Sequence, residues 1–115
     1  MLTLSTNDKV FIGIQPLDFR KQLNGLMQAT QYIIKQNPHS RAYFVFINRS
    51  KTAIKIFHFD GVGYWVHFKK LCRGKFKWPQ SQEEAMMMNP IELQVLLMNG
   101  DPHGASFQEE WQRVA

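Results

Sequence analysis

The chain has 115 residues, which suits one globular domain and leaves too little for a second. Hydrophobic residues make up 44% and charged residues 20%, which excludes a disordered chain, and the single cysteine, Cys72, excludes an internal disulfide. No apolar run is long enough for a transmembrane helix, and the N-terminus has no signal-peptide pattern. We therefore expect a cytoplasmic protein that does not associate with a membrane.

The net charge of +5 is distributed unevenly along the chain. Residues 41–77 contain nine Lys and Arg residues against Asp60 alone, a net charge of +8, whereas residues 78–115 carry −5. Clustered Lys and Arg displace counterions from phosphates, so the central third is a candidate surface for a nucleic acid. The alternative is a solvated set of strand faces in a protein that happens to be basic.

The first forty residues predict a strand followed by a helix. An apolar, β-branched run at residues 10–14 indicates a strand, which Pro16 ends. Asp18 is a candidate helix cap, and Asn37-Pro38 ends the helix. Gly25, inside this helix, indicates either a close packing contact or a merely tolerated position. The apolar stripe of the helix consists of Leu23, Leu26, Met27, Thr30, Ile33 and Ile34.

Apolar strands joined by turns follow this helix. Residues 42–48, 53–59 and 64–70 predict strands, and Asp60-Gly61 is typical of a two-residue hairpin turn between the last two. Residues 76–79 are a candidate short edge strand that a proline closes.

A second helix is predicted near the C-terminus. Asn89 is a candidate cap, Pro90 suits the first turn, and Glu92 stands where a capping box places its acidic residue. A last amphipathic turn is indicated by Phe107, Trp111 and Val114.

The element order predicts an α+β fold. We expect a small antiparallel sheet of about four to five strands, covered by one longer N-terminal helix, with a short C-terminal helix in addition. Residues 1–101 would form the globular domain and residues 102–115 a C-terminal extension.

A two-residue hairpin loop also assigns side chains to the two faces of the sheet, and a three-residue loop would exchange them. One face, expected to be core, holds Phe57, Phe59, Tyr64, Val66 and Phe68. The other holds Ile56, His58, Asp60, Trp65, His67 and Lys69. On this second face, Trp65 either packs under the C-terminal segment or offers a stacking platform to single-stranded nucleic acid.

Residues suited to catalysis are sparse. His58, His67 and Asp60 are candidate metal ligands, but their spacing is not diagnostic. A metal-dependent nuclease would have to use Asp18, Asp60 and a histidine, although a cap and a turn explain the two carboxylates equally well. We therefore expect a protein that is not an enzyme and uses no metal or cofactor.

Several segments within residues 8–101 follow one another in a distinctive order. They are residues 18–26 (DFRKQLNGL), 43–49 (YFVFINR), 54–56 (IKI), 60–63 (DGVG), 68–79 (FKKLCRGKFKWP) and 93–100 (LQVLLMNG). This order and spacing resemble those of the TnpB-type accessory proteins of insertion sequence sixty-six family transposons. The chain departs from the family pattern at Phe59, where a Trp is usual, and at Cys72, where a Glu is usual.

The resemblance implies a bacterial protein that a transposable element encodes beside a separate transposase carrying the catalytic site. It also implies an accessory role in transposition. We infer that basic residues at or beside the family's basic positions contact the phosphates of transposon DNA without reading its sequence. These residues are Arg20, Lys21, Arg49, Lys69, Lys70, Arg73, Lys75 and Lys77.

Two groups of these residues have a further feature that points to an anionic partner. The Arg73-Gly74-Lys75 turn presents two cations with no acidic neighbour in sequence. Arg20 and Lys21 fall in the first turn of the predicted helix, where the helix dipole disfavours cations. This placement indicates a phosphate, or an intramolecular carboxylate such as Glu83.

The alternative function is a protein-interaction module that bridges or activates the transposase without contacting DNA. It is based on the leucine-rich helix at residues 93–98 and on the acidic, aromatic C-terminal segment. That segment contains Phe107, Glu109, Glu110 and Trp111. The sequence leaves the oligomeric state open.

Overall fold

The computed structural model describes residues 4–82 and 89–99. Within these ranges the chain forms four strands and two helices, the first of which changes from α- to π-helical geometry partway along. The elements are β1 (Val10–Ile12), α1 (Leu23–Ala29), the π-helical segment Thr30–Ile34, β2 (Tyr43–Ile47), β3 (Ala53–Phe59), β4 (Tyr64–Lys70) and α2 (Pro90–Asn99).

The four strands form one mixed sheet in the order β1-β2-β3-β4. The β2–β3 and β3–β4 pairs are antiparallel as predicted, because tight turns connect them. The expectation of a wholly antiparallel sheet is wrong for β1, which pairs with β2 in parallel. The chain crosses over through the helix between these two strands, so β2 starts again from the end of the sheet at which β1 started.

The predicted fifth strand at residues 76–79 is not a strand. Instead of extending the sheet at an edge, this segment lies over the sheet and buries the side chains of Phe76 and Trp78. The Phe76 backbone N–H donates a hydrogen bond to the Lys51 carbonyl (2.8 Å), and the Trp78 indole N–H donates to the Gly13 carbonyl (2.9 Å).

Both faces of the sheet carry a buried core. The prediction that the first helix covers one face is confirmed, because α1 packs there against the phenylalanines of β2 and β3. This first core contains Leu26, Ala29, Ala42, Phe44, Phe46 and Phe57. The opposite face of β1, β2 and β3 packs against α2 and the 76–78 segment. This second core contains Ile12, Val45, Ile47, Ile54, Ile56, Phe76, Trp78, Leu93, Leu96 and Leu97.

The first helix begins later than the sequence suggested. It starts at Leu23, and the preceding Gln22 makes no capping hydrogen bond with its side chain, so the prediction that Asp18 caps the helix is wrong. A Cβ atom on Gly25 would collide with the Cβ of Lys21, which confirms the close packing contact. Of the predicted stripe, Ile33 is exposed, because a π-helical turn contains more residues than an α-helical turn and rotates later positions away from the sheet.

The second helix and the hairpin match their predictions closely. Strands β3 and β4 have the expected bounds, but the turn lies one residue later than predicted: Phe59 pairs with Tyr64 and the Asp60 N–H donates to the Gly63 carbonyl, so Gly61 and Val62 form the tip. The capping box is present: Asn89 Oδ1 accepts a hydrogen bond from the Glu92 N–H (2.8 Å), and Glu92 Oε1 accepts one from the Asn89 N–H (3.1 Å). The predicted last turn and the extension at residues 102–115 lie outside the described residues.

Strand β4 differs most from expectation. Tyr64, Val66 and Phe68 lie on the predicted face but are exposed, so assigning them to the core was wrong. Both cores are centred on β1, β2 and β3, and the side chains of β4 project beyond them. Neither helix in the described residues has the length and apolar content needed to cross a bilayer.

Candidate nucleic-acid interface

The turn between β2 and β3 is held by the side chain of Asn48. Its Oδ1 accepts hydrogen bonds from the backbone N–H groups of Thr52 (2.9 Å) and Ala53 (3.1 Å). These bonds replace the strand ladder where the chain reverses, and Lys51 adopts a left-handed backbone conformation with φ of 61°. The turn therefore presents the exposed Arg49 and the half-buried Lys51 from a constrained backbone.

The segment after β4 is attached to this same turn. The Leu71 N–H donates to the Thr52 carbonyl, and the Phe76 N–H donates to the Lys51 carbonyl, both at 2.8 Å. Between these two bonds, Gly74 takes a φ of 79°, and the exposed Arg73 and Lys75 flank it. The Arg73-Gly74-Lys75 turn is thus tied to the β2–β3 turn at both of its ends.

The segment that precedes α1 reaches the same end of the sheet. The Leu17 N–H donates to the Ile47 carbonyl (2.8 Å), and Leu17 forms a parallel bridge with Asn48. The Lys55 ammonium donates to the Phe19 carbonyl (3.0 Å) and lies 5.1 Å from the centre of the Phe19 ring.

Three separate stretches of sequence therefore meet at one end of the sheet, and we call the set of cations that they carry the basic end. Its members are Arg20, Lys21, Arg49, Lys51, Lys70, Arg73, Lys75 and Lys77. Seven of the eight predicted phosphate-contacting residues are among them. Lys51 also belongs to the basic end but was not among the predicted residues. Its position in the polar turn, between Arg49 and Thr52, could have indicated it from the sequence.

Arg20 already has a partner within the chain. Its guanidinium forms an ion pair with Asp18 (2.7 Å), and Asp18 also accepts the Arg20 backbone N–H (3.0 Å). These hydrogen bonds hold the pKa of Asp18 well below its ordinary value. The helix-dipole argument for Arg20 and Lys21 is wrong, because both precede the helix, and the proposed partner Glu83 lies outside the described residues.

Lys69 is the predicted residue that does not join the basic end. Its side chain lies on the opposite face of the sheet from that of Lys70, and its ammonium donates to the Leu97 carbonyl in the last turn of α2. Partial burial lowers the pKa of Lys69. A cation at a helix C-terminus satisfies a free carbonyl and complements the helix dipole, so Lys69 has a structural contact there.

The far end of the sheet carries Asp60, whose carboxylate organises the hairpin. It accepts hydrogen bonds from the N–H groups of Gly63 (2.8 Å) and Val62 (2.9 Å) and from the Trp65 indole (2.8 Å). These bonds, in that order of effect, lower the pKa of Asp60 to about 2. Asp18 lies at the other end of β3, about 20 Å away along the strand. A nuclease site that combines Asp18 with Asp60 is therefore not assembled.

The histidines near Asp60 are engaged with aromatic rings. His58 stacks on Tyr43 with ring centres 4.1 Å apart, and His67 stacks on Trp65 at 5.9 Å. Burial, and then the neighbouring His58, lower the pKa of His67. In residues 4–82 and 89–99 no three His, Cys, Asp or Glu side chains are grouped closely enough to hold a metal ion, so the hypothetical site of His58, His67 and Asp60 is not formed.

Comparison with known proteins gives the family. The family model described as "IS66 Orf2 like protein" matches residues 8–105. Two similar proteins of Sinorhizobium fredii, "Uncharacterized protein y4hO" and "Uncharacterized protein y4jC", are 34% and 29% identical to the chain over 101 residues. Each match covers 88% of this chain, and 88% and 86% of the respective relatives. No solved structure shows significant similarity. The chain therefore belongs to the IS66 Orf2-like family of transposon-associated accessory proteins.

Proposed function

We propose that this protein supports transposition as a non-catalytic DNA-binding protein, acting beside a separate transposase and contacting the phosphate backbone through the basic end. The observation that supports this most directly is the convergence of three sequence segments on one end of the sheet. In those segments, residues 17–21, 48–52 and 70–78, Asp18 is the one carboxylate, and Arg20 already pairs with it. Of the other cations, Arg49, Arg73 and Lys75 are exposed, which suits contact with an external polyanion.

The backbone that carries these cations is constrained before any ligand binds. The Asn48 side chain fixes the β2–β3 turn, and buried Phe76 and Trp78 anchor the segment that follows β4. A rigid scaffold lowers the conformational cost of placing several cations along a phosphate backbone. Contacts of this type position a protein on DNA without reading base sequence.

The test is a salt titration of binding to duplex DNA that carries the terminal repeats of the element, beside an unrelated duplex of equal length. Each neutralised phosphate contributes about 0.9 to the slope of log affinity against log salt. The double variant Arg73→Ala/Lys75→Ala should reduce this slope by about 2 and weaken binding to both duplexes.

A matched control removes the same charge from another part of the molecule. Lys9→Ala/Lys35→Ala alters two exposed cations outside the basic end: Lys9 precedes β1, and Lys35 follows the last helical turn. This control should retain most of the slope. Equal losses in the two double variants, or no binding at low salt, would contradict the proposal. A preference for the terminal repeats would add sequence or shape readout to the backbone contacts.

The alternative function is a module that bridges to the transposase, and it can be distinguished from DNA binding with the same purified protein. The leucine-rich helix gives this alternative no support, because Leu93, Leu96 and Leu97 are buried in the second core. The acidic, aromatic segment at residues 107–111 lies outside the described residues. Co-purification with the transposase that survives nuclease treatment, together with absent DNA binding, would favour the bridging function.

A further inference from the structure

The outer edge of β4 has a row of backbone hydrogen-bonding groups without a partner in the described part of the chain. The bonds Asp60 N–H to Gly63 carbonyl and Leu71 N–H to Thr52 carbonyl fix which β4 residues bond to β3. In an antiparallel ladder such residues alternate, so the odd-numbered residues 65, 67 and 69 face β3. The N–H and C=O groups of residues 64, 66, 68 and 70 therefore point outward.

This edge also exposes apolar side chains on both faces of the sheet. Tyr64 is 40%, Val66 41% and Phe68 57% exposed on one face, and Trp65 is 55% exposed on the other. Proteins protect edge strands with proline, bulges, short length or charged side chains, and in β4 the charged side chains, Lys69 and Lys70, stand at one end only. Strand β4 has seven residues, contains no proline and keeps an unbroken register with β3. Such a strand is a template for pairing with another strand.

We propose that β4 pairs antiparallel with β4 of a second copy of this chain, about a two-fold axis at His67, so that the two sheets become continuous. The sequence YWVHFKK is complementary to its own reverse in this register. Tyr64 faces Lys70 of the second copy, Trp65 faces Lys69, and Val66 faces Phe68. Antiparallel pairing places each lysine pair beside the aromatic end of the other copy, which keeps like charges apart and sets Lys70 opposite the ring of Tyr64.

The alternation of inward-facing and outward-facing residues along β4 selects this register. The outward-facing, even-numbered residues must pair with one another, and a two-fold axis at His67 achieves this while pairing all seven residues of the strand. A shift by two residues in either direction leaves one end of each strand unpaired. Because the Lys69 ammonium is bonded to the Leu97 carbonyl, it presents its aliphatic stem to the facing Trp65.

The central pair agrees with this arrangement. His67 meets its own counterpart at the axis, in a pair that makes no backbone hydrogen bonds to each other. Partial burial and the nearby His58 lower the pKa of His67, which favours the neutral imidazole and so reduces repulsion between the two facing rings.

The first test is sedimentation of the full chain in the absence of DNA, which makes it independent of the proposed DNA binding. The variant Val66→Pro removes an outward N–H that the monomer does not use, and edge strands accept proline at such positions. It should weaken dimerisation at least tenfold while circular dichroism stays unchanged. Val66→Thr keeps the N–H and the β-branched shape, and it should still dimerise.

A cross-linking test checks the register and does not depend on proline being tolerated. In a Cys72→Ser background, His67→Cys places two thiols at facing positions with Cα atoms about 4.5 Å apart, within the range of a disulfide. Val66→Cys is the matched control, because its thiols would lie diagonally, about 7–8 Å apart. Oxidation should give covalent dimers with His67→Cys and few with Val66→Cys.

Several results would overturn the proposal. They are a wild-type chain that stays monomeric at hundreds of micromolar, a dimer that survives Val66→Pro, and cross-linking at residue 66 in preference to residue 67. A monomer that binds single-stranded oligonucleotides through the side chains of β4 would assign this strand to nucleic acid and would also overturn it.

Discussion

The buried indole hydrogen bond of Trp78 should contribute measurably to the stability of the fold. Trp78 is 6% exposed, and its N–H donates to the buried Gly13 carbonyl over 2.9 Å. The substitution Trp78→Phe keeps an aromatic ring in the core but leaves that carbonyl without this donor. An orphaned buried acceptor costs about 1–3 kcal/mol. We therefore expect Trp78→Phe to lower the free energy of unfolding by about 2 kcal/mol.

The assay is urea unfolding followed by far-ultraviolet circular dichroism, which avoids the tryptophan signal that the substitution changes. With a slope of about 1–3 kcal/mol per molar urea, the midpoint should fall by about 1 M. The matched control is Trp65→Phe, which removes a similar N–H from an exposed bond to Asp60 (2.8 Å) and should cost less than about 0.5 kcal/mol. Equal losses in the two variants would refute the argument that burial determines the cost.

Three further predictions concern the local structures. Hydrogen bonds lower the pKa of Asp60 from 3.8 to about 2, so its contribution to stability is present above pH 3.8 and is lost as the pH falls towards 2; an acid titration should show a shallower decline for Asp60→Asn. Asn89→Ala removes the cap of α2 and should cost about 1 kcal/mol in urea unfolding. Gly61→Ala should lower the free energy of unfolding by about 1–3 kcal/mol, because Gly61 has a φ of 96° and the Arg41 guanidinium lies against it. The control Gly63→Ala adds its Cβ in open space and should change the urea midpoint little.

The sequence alone predicted the parts of the fold that depend on neighbouring residues. The hairpin between β3 and β4 has the expected bounds and faces, because any two-residue loop sets odd-numbered residues of one strand opposite even-numbered residues of the other, although the tip is Gly61-Val62 and not Asp60-Gly61. The capping box that starts at Asn89 is likewise local, since its two hydrogen bonds join residues three apart. Local chemistry of this kind can be read without knowing what packs against it.

The contacts of Asp18 could not be predicted from neighbouring residues alone. Asp18 and Arg20 are two residues apart, yet their ion pair was not predicted, because the sequence suggested a helix start at the same place. The segment before α1 is held instead by Leu17, through its bond to Ile47 in a distant strand. That tertiary contact delays the helix to Leu23 and frees Asp18 to bind Arg20.

The sequence by itself determined the family, the α+β class, the hairpin faces and the excess of positive charge in the central third, because each follows from residue order or composition. Only the tertiary structure decided that β1 pairs in parallel with β2 and that seven predicted cations gather at one end of the sheet while Lys69 binds α2. It also decided that β4 lies at the edge of the sheet with large apolar side chains exposed. These outcomes depend on how far each helix reaches across the sheet and on which distant segments share its ends, and neither is encoded in the spacing of neighbouring residues.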